Sequence, residues 1–475
     1  MFRTHSAPPR PALLMLALAL LAGEPMLAQA QPVRAKKAAP PAVAPAAPEP
    51  RQQSRCGEED ALPAAAGRDS TSFEISSADP RAQLQELVQR AQQRSQGLGA
   101  ATLLAQAARE EWEEARAARL PQVNLGGTLT HSGTKSEGLK LQHGMRASAN
   151  LNVSAPLYDS GRLVQLANWR SQLAEAARLG LSSTEQQLAL QTVSLAMDRS
   201  RYQLQAQVYG QYVRKMACLV DALGIIVQAD RGRASELVQA QKNQQQAELA
   251  LVQTLSALRQ VESRLRRFVG DELPPSASYS ALLTQVPELS EMQRDAELSP
   301  ELTQLDAQAR AQASYAESVA AGYKPQVNLL MGGSATGGVV KSGEWAAGVS
   351  INIPIYNAGA DHGIAAARKR AEAVRLQRED QLEARRYRMV DVHEAAASSF
   401  DRARRIVDVL RNSDRVRAST LQQWQQLGRR SLFDVMGAEA DYYSLRVAQV
   451  NALFDGQQAV ALLWSMGRGV LTPLR

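Results

Sequence analysis

Two stretches of the chain alternate apolar and polar residues, and each leads into a proline-free run whose apolar positions keep step at seven. In the first, Val123, Leu125 and Leu129 alternate with Gln122, Asn124, Thr128 and Thr130. A Gly/Ser/Thr/Lys-rich loop follows at about 132–144, and then Leu151, Val153, Ala155 and Leu157 form one row opposite Asn150, Asn152 and Ser154. The second copy has Val327, Leu329 and Met331, a loop at about 332–343, and Val349, Ile351, Ile353 and Ile355 opposite Ser350 and Asn352. Period two predicts strands with one apolar and one polar face. Each half therefore carries a hairpin, over 121–156 and 325–354, with strands of about ten residues, the length a tilted strand needs to cross a bilayer.

The runs that follow contain no proline over 157–273 and 355–472. Leu181, Leu188, Leu195, Tyr202, Tyr209, Met216 and Leu223 repeat at seven, beside Leu190, Met197 and Leu204; the other half shows Leu382, Met389, Ala396, Ala403 and Leu410. A seven-residue repeat of this length predicts coiled-coil packing of long helices, over 161–227 and 359–426. At ~1.5 Å per residue, a helix of about 67 residues runs on the order of 100 Å, roughly three bilayer thicknesses. Each long helix reverses at a small basic knot, Asp230–Leu237 or Leu427–Val435, into return helices at 236–268 and 432–466. There Gly232 and Gly428 suit helix C-caps and Ser235 and Ser431 suit N-caps, with an acidic residue in the first turn.

The two halves are copies. Pro121-Gln-Val-Asn-Leu125 recurs unchanged at 325–329, and Pro156 and Pro354, Tyr158 and Tyr356, and Gly161 and Gly359 each lie 198 residues apart. These six residues mark strand-to-helix hinges, with Pro ending the strand and Gly redirecting the backbone. The tyrosines fit an interfacial aromatic anchor, with local packing as the alternative. The organisation expected is a first repeat at 79–273, beginning with a helix over about 81–118, a connector at 274–298 and a second repeat at 299–475, opened by Ser299-Pro300.

Ahead of the repeats, residues 1–30 read as a secretory signal: Arg3 and Arg10 precede the apolar run Ala12–Gly23, and Ala28-Gln29-Ala30 supplies a small-x-small cleavage site. Residues 31–78 are rich in Ala and Pro without periodicity and read as a disordered leader. The two cysteines, Cys56 and Cys218, do not make a disulfide framework. The formal charge of +7 and pI near 9.5 reflect basic residues spread along helices rather than clustered with aromatics, so nucleic acid is not the partner expected. His131, His143, His362 and His393 share no metal-ligand spacing, and no nucleophile triad or phosphate loop appears, so neither an enzyme nor a cofactor or metal site is expected.

Four membrane-length strands cannot close a barrel, because closed barrels start at about eight strands and an open edge in lipid leaves backbone groups unpaired. The chain must then oligomerise; three copies give twelve strands and leave a lumen, whereas eight strands fill their own interior. The expected class is an α+β membrane protein, mainly α, embedded in the lipid bilayer as a homotrimer. At this point the signal, the duplicated strands, the Pro-Leu-Tyr and Pro-Ile-Tyr hinges, and Gly428–Ala438 leading to Leu463-Trp-Ser-Met-Gly467 resemble the TolC family of outer-membrane channel tunnels over about residues 80–472.

The resemblance implies a twelve-stranded β-barrel in the bacterial outer membrane and an α-helical barrel across the periplasm. It also implies a closable tip that engages a periplasmic adaptor (a membrane fusion protein) and an inner-membrane transporter. The style of the chain is most similar to type I secretion channels for protein cargo, such as the exporter of an adenylate cyclase haemolysin, with an ABC transporter as partner. Small-molecule efflux with a proton-driven pump is the alternative within this class, and a periplasmic coiled-coil adaptor or scaffold the alternative outside it. By resemblance, Gly232, Arg233, Ser235, Gly428, Arg430 and Ser431 lie at the tip where adaptor hairpins dock. Asp414 with Arg415 is the gate candidate, with exposed helix charges as the competing reading.

Overall fold

A computed structural model describes residues 75–76, 79–134, 142–277, 279–338, 341–424 and 431–474. The signal and nearly all of the leader expected at 31–78, together with Gly428 and Arg430, lie outside the described residues. Chain order is β1 (Ile75–Ser76), α1 (Pro80–Arg94), α2 (Gln96–Ala117), β2 (Gln122–Thr134), β3 (Gln142–Tyr158), α3 (Arg162–Ala229) and α4 (Ala234–Val269). It continues with β4 (Ser276–Ala277), α5 (Leu289–Glu297), α6 (Pro300–Gly322), β5 (Gln326–Gly338), β6 (Ser342–Asn352), α7 (Ala360–Gln422) and α8 (Leu432–Met466). The order helix, hairpin, long helix, return helix thus occurs twice. Among the described residues no helix is long and apolar enough to cross a membrane.

The hairpins join into one antiparallel sheet of order β2-β3-β5-β6, while β1 pairs in parallel with β4. Register runs Asn124 to Asn152 between β2 and β3, Asn152 to Gly332 between β3 and β5, and Gly332 to Ala346 between β5 and β6. Beside the sheet α3 lies between α2 and α6, and α7 lies against α6; farther along, the neighbours run α4, α3, α8, α7. The seven-residue rows form the packed faces: Leu188, Met197, Met216, Leu223, Met389 and Ala396 are buried.

Where the two layouts meet, Leu84, Leu87 and Val88 of α1 pack with Val193, Met197, Leu265, Tyr279, Phe454 and Leu474. The connector at 274–298 contributes to this core instead of merely spanning the repeats. Gln457, fully buried, donates from Nε2 to the carbonyls of Tyr279 (2.9 Å) and Ser280 (3.1 Å), and the Tyr279 hydroxyl donates to Gln83 Oε1 at 2.5 Å.

Several sequence expectations are corrected. The helix expected over 81–118 breaks at Ser95, whose extended backbone (φ −69°, ψ 108°) and hydroxyl, accepting from Leu98 N at 3.1 Å, cap a new helix. Pro156 does not end its strand: β3 continues to Tyr158, and Pro156 sits beyond the last β2 partner with a register shift just after it. With a neighbour on one side only, no ladder bond is required of its missing N–H. In the second copy the strand stops at Asn352, before Pro354. Cys218 is disulfide-bonded; the sequence's other cysteine, Cys56, lies outside the described residues.

Candidate functional site: sheet, hinges and helix ends

Alternation along four registered strands produces a two-faced sheet. One face carries Val123, Leu125, Leu129, Leu151, Val327, Val349 and Ile351, and among the described residues it is largely uncovered: Leu125 is 79% exposed, Ile351 64% and Trp345 85%. On the other face Asn124 stands opposite Asn152, Gly126 opposite Asn150 and Thr128 opposite Ser148, whose hydroxyls are hydrogen-bonded. A Cβ on Gly126 would come within 2.6 Å of Asn150 Oδ1, and one on Gly332 within 2.9 Å of Asn152 Oδ1. The amides therefore lie down over glycines of the neighbouring strands, which keeps this face low. Arg146 and Glu344 are its charged residues among the described strand positions.

Among the described residues of the single chain, the outer edges of β2 and β6 have no strand beside them. The helices end on the same two sides: α2 and α4 flank α3 on the β2 side, and α7 is last on the β6 side. Apolar residues are left uncovered on both. Arg199 to Glu262 ties α3 to α4, while Asp455 of α8 meets Arg201 of α3 and Arg402 of α7. Counting along the helices from these ties places exposed Val252 and Leu249 of α4 at the height of exposed Val409 on α7.

The hinges differ from each other. At the first, Ser160 (φ 55°) and Gly161 (φ 86°) are left-handed, and Asp159 Oδ1 accepts from Gly161 N at 3.0 Å while its other oxygen accepts from Leu163 N. Ser160 Oγ donates to the Pro325 carbonyl at 2.9 Å, tying the first hinge to the start of the second hairpin. At the second, Asn357 Oδ1 accepts from Gly359 N at 2.9 Å, yet Gly359 is right-handed (φ −86°). Only Gly161 uses glycine's freedom; residues 353–356 leave the sheet earlier and turn without it. Tyr158 and Tyr356 are 59% and 87% exposed, so neither packs into the chain's own core.

At the first helix reversal, Asp230 rather than Gly232 or Ser235 does the capping: its carboxylate accepts from Gly232 N at 2.9 Å in a single 3-10 turn, and α4 begins at Ala234. Ser235 falls inside the first turn of α4, and Arg233 pairs with Glu236 at 2.8 Å. At the second, Ser431 caps α8 in a reciprocal box with Asp434. Beneath these ends Met216, Leu219 and Leu223 pack against Leu432, Val435 and Met436.

The gate candidates Asp414 and Arg415 both lie on α7. Asp414 binds Arg417 at 2.8 Å, one helical turn on, and Arg415 is exposed. Arg417 also reaches Glu439 of α8 (3.5 Å) and lies 4.0 Å over the Tyr442 ring, while Lys215 of α3 comes to 3.8 Å from Glu439, which is fully buried. One carboxylate thus joins three helices. Beside it, burial first and the charges of Glu439 and Asp441 next push the Tyr212 hydroxyl up to about 12. The sequence held a signal for this cluster: Glu439 occupies the helical row of Leu432, Val435, Met436 and Tyr443, where a carboxylate needs a cation.

Residues 87–271 match the model of the family described as outer membrane efflux protein. No curated protein matches in sequence. The whole described fold is similar to solved structures of CusC (TM-score 0.74, 20% identity, 90% of this chain and 99% of that one) and of the outer membrane protein VceC from Vibrio cholerae (0.70, 16%, 82% and 97%). It is also similar to the MtrE outer membrane channel of Neisseria gonorrhoeae (0.70, 18%, 84% and 95%). The first repeat therefore carries the sequence pattern of the outer membrane efflux proteins, and the chain as a whole has the fold of these outer-membrane channels.

Proposed function

We propose that three copies of this chain form an outer-membrane duct, with a twelve-stranded barrel in the lipid and a helical tunnel continuing into the periplasm. The observation that carries the reading is the pair of unfinished sides. The edges of β2 and β6 and the flanks of α4 and α7 are open on the same two sides of one chain, and an open strand edge is not stable in a bilayer. A rotation that seats one side on the other closes sheet and helices together. The uncovered apolar face then meets lipid, and the Asn/Ser/Thr face lines the lumen. The hinges at Pro156, Tyr158, Gly161 and Pro354, Tyr356, Gly359 are the joints between membrane and periplasmic parts.

The helix reversals around Gly232, Arg233, Ser235 and Ser431, with Gly428 and Arg430 between the described segments, are the docking end for a periplasmic adaptor that leads to an inner-membrane transporter. Protein secretion through an ABC transporter is the cargo reading we favour, on the run Gly428–Ala438 and Leu463–Gly467. The family description, an efflux protein, favours small-molecule export as the second. Purified full-length protein should have the mass of three chains in detergent and give discrete conductance steps in planar bilayers; a monomer without conductance overturns the duct. Affinity capture from cross-linked cells then separates the cargo classes, since an ABC transporter supports secretion and a proton-driven pump supports efflux.

A further inference from the structure

Where the first turn of α6 meets the last turn of α8, between α3 and α7, the chain forms a pocket of about 280 Å³ that is open to solvent on one side. Its polar wall carries donors and acceptors from the surrounding helices and the turn before α6. Ser183 and Gln186 come from α3, and Arg385 and Arg388 from α7; Glu301 is its one carboxylate. Arg385 is held in place: Nη1 donates to Ser299 Oγ at 2.6 Å and to the Met466 carbonyl at 3.4 Å, and Nη2 pairs with Glu301. Arg388 pairs with no carboxylate among the described residues. Burial, and then the charge of Arg388, push the Arg385 guanidinium below its ordinary value. Two guanidinium groups thus line one pocket with a single carboxylate; Arg385 is half-buried, while Arg388 and Glu301 reach solvent.

The volume lies at the lower edge of the roughly 300–1,000 Å³ of pockets for drug-sized ligands, so the chemistry of the lining narrows the ligand further. Guanidinium groups select planar or tetrahedral oxyanions through paired N–H donors. We propose that this pocket binds a small oxyanion, a phosphate or a short dicarboxylate, held by Arg388 and Arg385 with Ser183 and Gln186 supplying further hydrogen bonds. The bound ion would balance the surplus positive charge and link α7 to α3 at the level where α8 replaces α6 as the helix between them. The inference rests on the fold and does not require the duct reading.

The test is calorimetric titration of the full-length protein in detergent with inorganic phosphate and, separately, with succinate. Saturable binding of either supports the site, and the difference between the two identifies which oxyanion it prefers. Arg388→Gln should weaken that binding at least about tenfold, the scale of one charge-assisted hydrogen bond, without lowering the ion-free melting temperature. Gln186→Glu, which places a carboxylate in the pocket, should abolish it, and Arg109→Gln on the exposed face of α2 should leave it unchanged. No saturable binding of either ion, or equal affinity in Arg388→Gln, overturns the proposal.

Discussion

At the scale of single residues, close approach and burial make the sharpest demands. Gly456 of α8 faces Phe400 of α7, and an added Cβ would stand 2.8–2.9 Å from three ring carbons. A phenyl ring packed between helices cannot swing aside as a flexible chain end can. Gly456→Ala is therefore expected to destabilise by about 1–3 kcal/mol, the range for overpacking, despite alanine's better helix propensity; thermal melting checks it, and Phe400→Leu in the same chain should recover much of the loss. Asp198 shows the opposite case, a charge kept at a cost. Burial raises its carboxyl above the ordinary value, outweighing the bond donated by Gln458 Nε2 at 2.6 Å. The folded state then holds its proton more tightly than the unfolded state, so stability falls as pH rises from the ordinary carboxylate value through the raised one. Asp198→Asn keeps an acceptor for Gln458 and removes that slope. Melting curves between acid and neutral pH should show the variant gaining on the wild type as pH rises.

At the scale of elements, periodicity made most of the chain legible and left the junctions obscure. Strands and long helices follow from period two and period seven, because burial of one face is what each pattern encodes. The break at Ser95 was hidden, since a serine inside a helical pattern reads as tolerated until its hydroxyl is seen to cap Leu98. Gly359 misled because it copies Gly161 in position but not in backbone conformation. Asp414 and Arg415, adjacent on the helix, point apart, whereas Asp414 and Arg417, three apart, meet. Legibility failed most where three elements converge, at Glu439. Glu439→Ala is expected to cost about 3–5 kcal/mol, because Lys215 and Arg417 would lose their common counter-charge in a buried setting. Glu439→Gln should cost less while keeping the shape. Denaturant unfolding of both variants measures the difference, and equal losses would show that packing rather than charge holds α8 to α3 and α7.

At the scale of the whole molecule, the question is what finishes the two open sides. If copies meet with α4 of one against α7 of the next, Val252 and Val409, at matching heights and 58% and 49% exposed in the single chain, are brought together. A charge at either position would then be desolvated without a partner. Val252→Glu alone, or Val409→Arg alone, should weaken assembly by roughly 1–3 kcal/mol per interface, seen as loss of the three-chain mass on dilution in light scattering. Both positions are themselves exposed in the single chain, so the melting of helix signal in the dissociated protein should stay near the wild-type value. Together the two substitutions place a carboxylate beside a guanidinium and should restore assembly further than the single effects predict, a coupling that arises only between contacting sites. Strictly additive losses in the double variant would mean that α4 and α7 do not meet at this height. Assembly unaffected by either single change would mean that these flanks face solvent, and the barrel would then have to be closed by its strand edges alone.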